Sequence, residues 1–94
     1  MIHIKEEVCD DLSVTIHVDG MLDRESMPLF RAVCERHLET KRRVSIDLRD
    51  LFHICREGIQ YLTHVHPRVA FVNTPEFVKT SFNNHGHGGS RGRS

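Results

Sequence analysis

The chain has 94 residues, 38% of them apolar and 28% charged, with thirteen basic residues balancing thirteen acidic ones. Such a length supports one small domain with a single modest core, and the composition is that of an ordinary soluble fold rather than a disordered chain. Zero net charge leaves no overall field to draw the protein onto nucleic acid or an anionic membrane. No apolar run approaches the ~20 residues that span a bilayer. The N-terminus "MIHIKEEV" has no basic stretch followed by an apolar core, so neither a signal peptide nor membrane insertion is expected. Cys9, Cys34 and Cys55 are widely spaced and odd in number. They read as three free thiols in a reducing cytoplasm.

The first elements alternate. "MIHIKEEV" reads as an edge strand and "CDDL" as a turn. "SVTIHVDG" follows with Val14, Ile16 and Val18 on one face, Thr15 and His17 on the other, and an end at Gly20. The two strands form a hairpin. The period then changes to that of a helix. Phe30, Val33, Cys34, His37 and Leu38 share one face, Ser26 stands where an N-cap belongs, and Pro28 is tolerated in the first turn. Asp23 and Glu25 place negative charge at the positive end of that helix.

"RRVSIDL" reads as a short strand, and "RDLFHIC" as an apolar connection that tucks Leu51, Phe52 and Ile54 into the core. "REGIQYLTHVH" reads as a second helix with Ile59, Leu62 and Val65 inward, stopped at Pro67. "RVAFVN" is a compact strand. The last helix, "TPEFVKTSF", starts on Thr74 as N-cap and Pro75 as first helical residue, and Phe77, Val78, Ser81 and Phe82 form its stripe. The order is β-β-α-β-α-β-α over residues 1–82. Strand–helix–strand units imply parallel strands with right-handed crossovers, and the hairpin makes the four-stranded sheet mixed, with helices covering it. Residues 83–94 hold Gly, Ser, His and Arg but no apolar side chain, and read as a disordered tail.

Over about residues 8–82 the chain resembles the STAS domain, found in anti-sigma factor antagonists and on sulfate transporters. The resemblance rests on "VTIHVDGMLD", on the helix "SMPLFRAVCERHL" that follows it, on "VSIDL", and on "LFHICREGIQYL". The last aligns with the family loop, in which an apolar run leads to Asp-Ser-Ser/Thr-Gly and a helix start. The resemblance implies a STAS-like α/β domain that works by protein contact, not an enzyme, and needs no cofactor. Its partner would be an anti-sigma factor or kinase-like regulator, or a subunit of a transporter or signalling complex, with homo-oligomers also open.

In the family, phosphorylation of the residue before the glycine blocks docking. Here Gly58 is kept, Cys55 stands for the Asp, Arg56 for the first Ser, and Glu57 for the phospho-acceptor. Glu57 has no hydroxyl and carries one negative charge, against about −1.5 to −2 for a phosphoserine. Two readings follow: a permanent imitation of the phosphorylated state, or a module that has left the switch. The expected partner surface comprises Asp23, Ser26, His53, Cys55, Arg56, Glu57 and Gly58. Asp23 and Ser26 have an alternative role as helix caps, and Glu57 as a first-turn acid.

A second class of function is an enzyme that uses Cys55 as a thiolate, or a metal held by nearby histidines. No histidine is placed by sequence as a base for Cys55. His64 with His66, and His85 with His87, have H-x-H spacing without a third ligand at a familiar distance. The run "KRR" at 41–43 lacks the aromatic interleaving of a nucleic-acid surface. A third possibility is a structural subunit that exposes its last strand or the Phe77/Phe82 helix to a neighbour.

Overall fold

The computed structural model describes residues 2–86, with side chains through Phe82. The elements run β1 (Ile2–Asp10), β2 (Ser13–Leu22), α1 (Met27–Leu38), β3 (Arg43–Asp47), β4 (Leu51–Ile54), α2 (Arg56–Val65), β5 (Val69–Val72) and α3 (Glu76–Gly86). A single 3₁₀ turn, His66–Arg68, joins α2 to β5 and holds Pro67 at its start. The helical backbone continues past residue 82 to Gly86, so the expected boundary at 83 falls inside α3. The rest of the expected tail, 87–94, lies outside the described residues.

The architecture is the expected mixed α/β sheet, with five strands rather than four. β1 and β2 form the antiparallel hairpin. β2 pairs in parallel with β3, and β3 with β5. The fifth strand, β4, lies in the segment expected to be a connection, and it pairs in parallel with the last residues of β2. One edge of Gly20 is already occupied by Ile2 of β1. β4 must therefore lie on the other edge, as a continuation of β3 along β2.

This arrangement needs Gly20. The pairing register shifts between Gly20 and Met21, and Gly20 has φ 103°, a left-handed backbone that favours glycine. Its N–H donates to the Asp50 carbonyl at 3.0 Å. The expectation that the strand ends at Gly20 is thus corrected: Gly20 bends β2 without ending it.

Register and alternation put the whole core on one face of the sheet. Val14 and Ile16 of β2 align with Val44 and Ile46 of β3, and these with Val69 and Phe71 of β5, while Val18 and Leu22 continue the same buried row along β2. The helices bury Phe30 and Cys34 (α1), Ile59, Leu62 and Val65 (α2) and Val78 (α3) against them, in a single cluster. Phe30 and Tyr61 meet edge to face at 5.8 Å between centroids, which joins α1 to α2. Phe82 packs on the margin of this core, and Phe77 is left exposed. Thr15, His17, Ser45 and Asp47 project from the opposite face, which carries no helix among the described residues.

The edge strand β1 is fastened to α1 by ions. The Glu6 carboxylate accepts from Arg36 and, at 2.5 Å, from the buried His37 ring. The Arg36 guanidinium first, and the His37 ring second, hold the Glu6 carboxyl below the usual carboxylate range. An unfolded chain therefore takes up this proton at higher pH than the folded one. The stability contributed by Glu6 is complete above the unfolded value, about 4.3, and is lost as pH falls through the lower folded value. Asp10, Asp23, Asp47 and Glu57 are shifted the same way, so they share the acid slope. Glu6→Gln should lower stability near neutrality by at most ~1 kcal/mol, because the pair is partly exposed. Urea midpoints at about pH 6 and about pH 3 check this: the gap between wild type and variant should shrink at the lower pH.

Candidate functional site

The site forms where β2 ends, β4 ends and α2 begins. The Cys55 N–H donates to the Leu22 carbonyl at 2.9 Å and ties the loop to the end of β2. Cys55 has extended backbone angles, φ −82° and ψ 171°, and its Sγ accepts from the Gly58 N–H at 3.4 Å. It is thus the N-cap of α2, a place usually taken by an oxygen side chain. Among the described residues, no histidine nitrogen is hydrogen-bonded to this sulfur.

Gly58 is buried under the loop. A Cβ there would stand 2.7 Å from Cγ1 of Ile54 and 3.2 Å from Cδ2 of Leu22. The glycine lets α2 lie close against the ends of β2 and β4, which fixes the direction in which residues 55–57 point.

Glu57 occupies the first turn of α2, and its Oε2 accepts from Arg24 Nε at 3.1 Å. Its own backbone N–H first, and Arg24 second, hold the Glu57 carboxyl below the usual range. The charge ahead of Gly58 is therefore already engaged by the β2–α1 turn. Asp23 in that turn accepts from the Ser26 hydroxyl at 2.7 Å and the Ser26 N–H at 2.9 Å. These two bonds, in that order, depress the Asp23 carboxyl. Ser26 occupies the N-cap position of α1 but makes no side-chain cap bond, with φ −84° and ψ −16°. Its hydroxyl is spent on Asp23 and it is 9% exposed. Asp23 orders the turn before the helix, and the capping role expected of the two residues is not made by either side chain.

His53, opposite Met21 in the ladder, and Arg56 are both exposed. Phe52 corrects an expectation: it is 68% exposed, not in the core, while Leu51 beside it is buried. The structure therefore brings Asp23, His53, Cys55, Arg56, Glu57 and Gly58 to one end of the sheet, with Ser26 beneath them. To these it adds Phe52 and Arg24, which sequence reasoning missed. The signal for Phe52 was its place one residue after Leu51: if the segment is a strand, the two face opposite ways. Nothing in the sequence announced the Arg24–Glu57 pair.

Beyond Glu57 the surface continues as a groove of about 370 Å³ between α1 and α2, lined by Arg31, Glu35, Glu57, Gln60, Tyr61 and His64. The Tyr61 hydroxyl donates to Glu35 at 2.6 Å, and the Arg31 guanidinium lies 5.2 Å over the Tyr61 ring. Burial pushes the Cys34 thiol up to about 12, so it stays protonated. Among the described residues no three His, Cys, Asp or Glu side chains are grouped to hold a metal ion, and no helix is long and apolar enough to cross a membrane.

This is a STAS-like fold. The chain superposes on the anti-sigma factor antagonist SpoIIAA in its unphosphorylated form with a TM-score of 0.72, at 16% identity, over 92% of this chain and 83% of that one. It also superposes on an uncharacterized protein with a SpoIIAA-like fold from Shewanella loihica, with a TM-score of 0.55 at 17% identity, over 89% of this chain and 75% of that one. No family profile and no curated relative matches the sequence.

Alanine is normally worth ~1 kcal/mol over glycine inside a helix. Gly58→Ala should instead destabilise the chain by ~1–3 kcal/mol, the usual cost of overpacking. Adding Ile54→Ala should recover part of that loss. Denaturation of the two single variants and the double variant measures it, and additive losses would show that the Ile54 contact is not the cause.

Proposed function

We propose that the chain is a cytoplasmic protein–protein interaction module whose contact with its partner does not depend on phosphorylation. The contact surface comprises the Asp23–Arg24 turn, Phe52 and His53 of β4, and Cys55–Gly58 at the start of α2. One observation carries this reading: the position that would hold a phospho-acceptor is a glutamate paired with Arg24, and the strand that leads into it, β4, leaves Phe52 in solvent. An exposed aromatic at the edge of a polar rim suits a pocket on a protein partner. The paired glutamate favours a module that has left the switch. Its charge is met within the chain, so little of it is offered as an imitation phosphate.

SpoIIAA, similar in fold, is an anti-sigma factor antagonist. By analogy the partner is an anti-sigma factor or kinase-like regulator, although fold alone does not select it. The alternative is a structural subunit of a transporter or signalling assembly. Its support is the exposure of Val72 on β5 and of Phe77 on α3, away from the loop. A thiol enzyme is disfavoured, because Cys55 serves as a cap acceptor.

Affinity capture from native lysate compares wild type, Phe52→Ala, Arg56→Ala and Glu57→Ser. A protein retained by wild type should be lost with Phe52→Ala and weakened with Arg56→Ala. Phosphatase treatment of the wild-type chain should change nothing. If that protein is held equally by all four forms, this surface is not the contact. If capture responds to phosphatase, the contact is phosphorylation-dependent.

A further inference from the structure

One side of the sheet ends in an unpaired edge along β1. Among the described residues β1 pairs with β2 alone, and its register with β2 is regular from Ile2 to Val8 before a shift ahead of Asp10. Such an edge offers unmet N–H and C=O groups to a further strand. Opposition to β2 fixes which way each side chain points. Ile4, Glu6 and Val8 stand opposite Val18, Ile16 and Val14, whose side chains are buried, so they share the helix-bearing face. His3, Lys5 and Glu7 stand opposite Asp19, His17 and Thr15 and share the open face. Val8 is 55% exposed, and Ile4 is partly buried against the core.

This edge is its own complement. An antiparallel copy related by a two-fold axis at Glu6 sets Lys5 opposite Glu7 of the second copy, and Glu7 opposite its Lys5. The same register sets Ile4 opposite Val8, and Val8 opposite Ile4. Cross-strand pairs of opposite charge and of apolar side chains both favour strand association. The open face gains ion pairs and the helix-bearing face gains apolar pairs, all within the regular stretch. A slip of two residues one way opposes Lys5 to Lys5 and Ile4 to Glu6. The same slip the other way opposes Glu7 to Glu7 and Glu6 to Val8. Like charges directly opposite are destabilising, so charge selects one register. A slip of one residue sets the helix-bearing face of one copy level with the open face of the other.

Two features of the edge fit this register. The like pair at its centre, Glu6 against Glu6, is already engaged within each chain, where the carboxylate accepts from Arg36 and His37 of α1. Glu7 bonds to His17 through Oε1, and its second oxygen faces no other hydrogen-bond partner among the described residues. A lysine on an edge strand ordinarily blocks pairing. Opposite an acid, the exposed Lys5 instead specifies the partner.

We propose that the chain forms a two-fold dimer through β1, joined antiparallel to β1 of a second copy and centred on Glu6, so that the two sheets become one. The joint is short against the about 1,200–2,000 Å² that stable interfaces bury. The dimer is therefore a reversible one that forms at high protein concentration.

Sedimentation velocity on the full chain at low ionic strength, from about 10 μM to about 1 mM, tests it. Wild type should pass from monomer toward dimer across this range. Lys5→Glu places acids at both positions 5 and 7, and Glu7→Lys places lysines at both. Each variant alone should weaken the dimer by more than about tenfold, because like charges then face each other. Mixed in equal amounts, the two variants should associate again, since every position 5 then faces an opposite charge at position 7. Recovery in the mixture also shows that both variants are folded. Lys5→Glu alters an exposed side chain and leaves the Glu7–His17 bond in place, so its effect stands by itself. A wild type that stays monomeric up to about 1 mM, a Lys5→Glu chain that associates as wild type does, or a mixture that fails to recover overturns the proposal.

Discussion

Both edges of β2 are taken along most of its length, and the fold depends on that constraint. β1 lines one edge from Ser13 to Gly20. The other edge is shared, with β3 beside Ser13–His17 and β4 beside Gly20–Leu22. A straight β2 could not change partners in this way. The left-handed turn of the backbone at Gly20 shifts the register and admits the second piece. Once β4 is seated, the chain leaves the sheet at Cys55, held there by the Leu22 carbonyl. α2 then folds back over the core, and Gly58 gives it the clearance. The position of the loop is therefore set by β2, not by the loop itself.

That geometry decides what the loop can do without a serine or threonine. Its sulfur caps the helix, its glutamate is paired across to the β2–α1 turn, and its glycine is used for packing. What remains for a partner is Phe52, His53, Arg56 and the outer side of the Arg24–Glu57 pair. The hydroxyl at the start of α1, Ser26, is consumed by Asp23. On the proposed function, these features suit constitutive contact better than a covalent switch. On the opposite face His17 stands 2.8 Å from Glu7 and 3.1 Å from Asp47.

The parts of this structure that were legible in the sequence are those fixed by local period. The alternation Val14, Ile16, Val18 and the stripe Phe30, Val33, Cys34, His37 each report a buried face, because geometry repeats every two or 3.6 residues whatever the partner. β4 was hidden for the opposite reason. Four residues are too short to show a period, and their strand character comes from pairing with β2 through a kink more than 25 residues earlier in the chain, at Gly20↔Leu51. Phe52 followed from the same omission, since a connection gives no reason to send it outward. The Arg24–Glu57 pair joins side chains 33 residues apart, so it exists only after α1 and α2 are placed. At the start of α1 the sequence pointed to the right residues as helix caps, but neither side chain caps the helix. Asp23 and Ser26 do bond to each other, but Asp23 is the acceptor that orders the turn.

The contact surface proposed for the chain is one end of the sheet, built from the β2–α1 turn, β4 and the start of α2. An amide chemical-shift map tests it most directly: the isotope-labelled chain is titrated with the protein that the wild-type form retains. Perturbed amides should cluster at residues 23–24 and 51–57, and lysate phosphatase should leave the pattern unchanged. Perturbations confined to β5 and α3, with the loop silent, would contradict the account and assign the chain to an assembly through its last strand and helix.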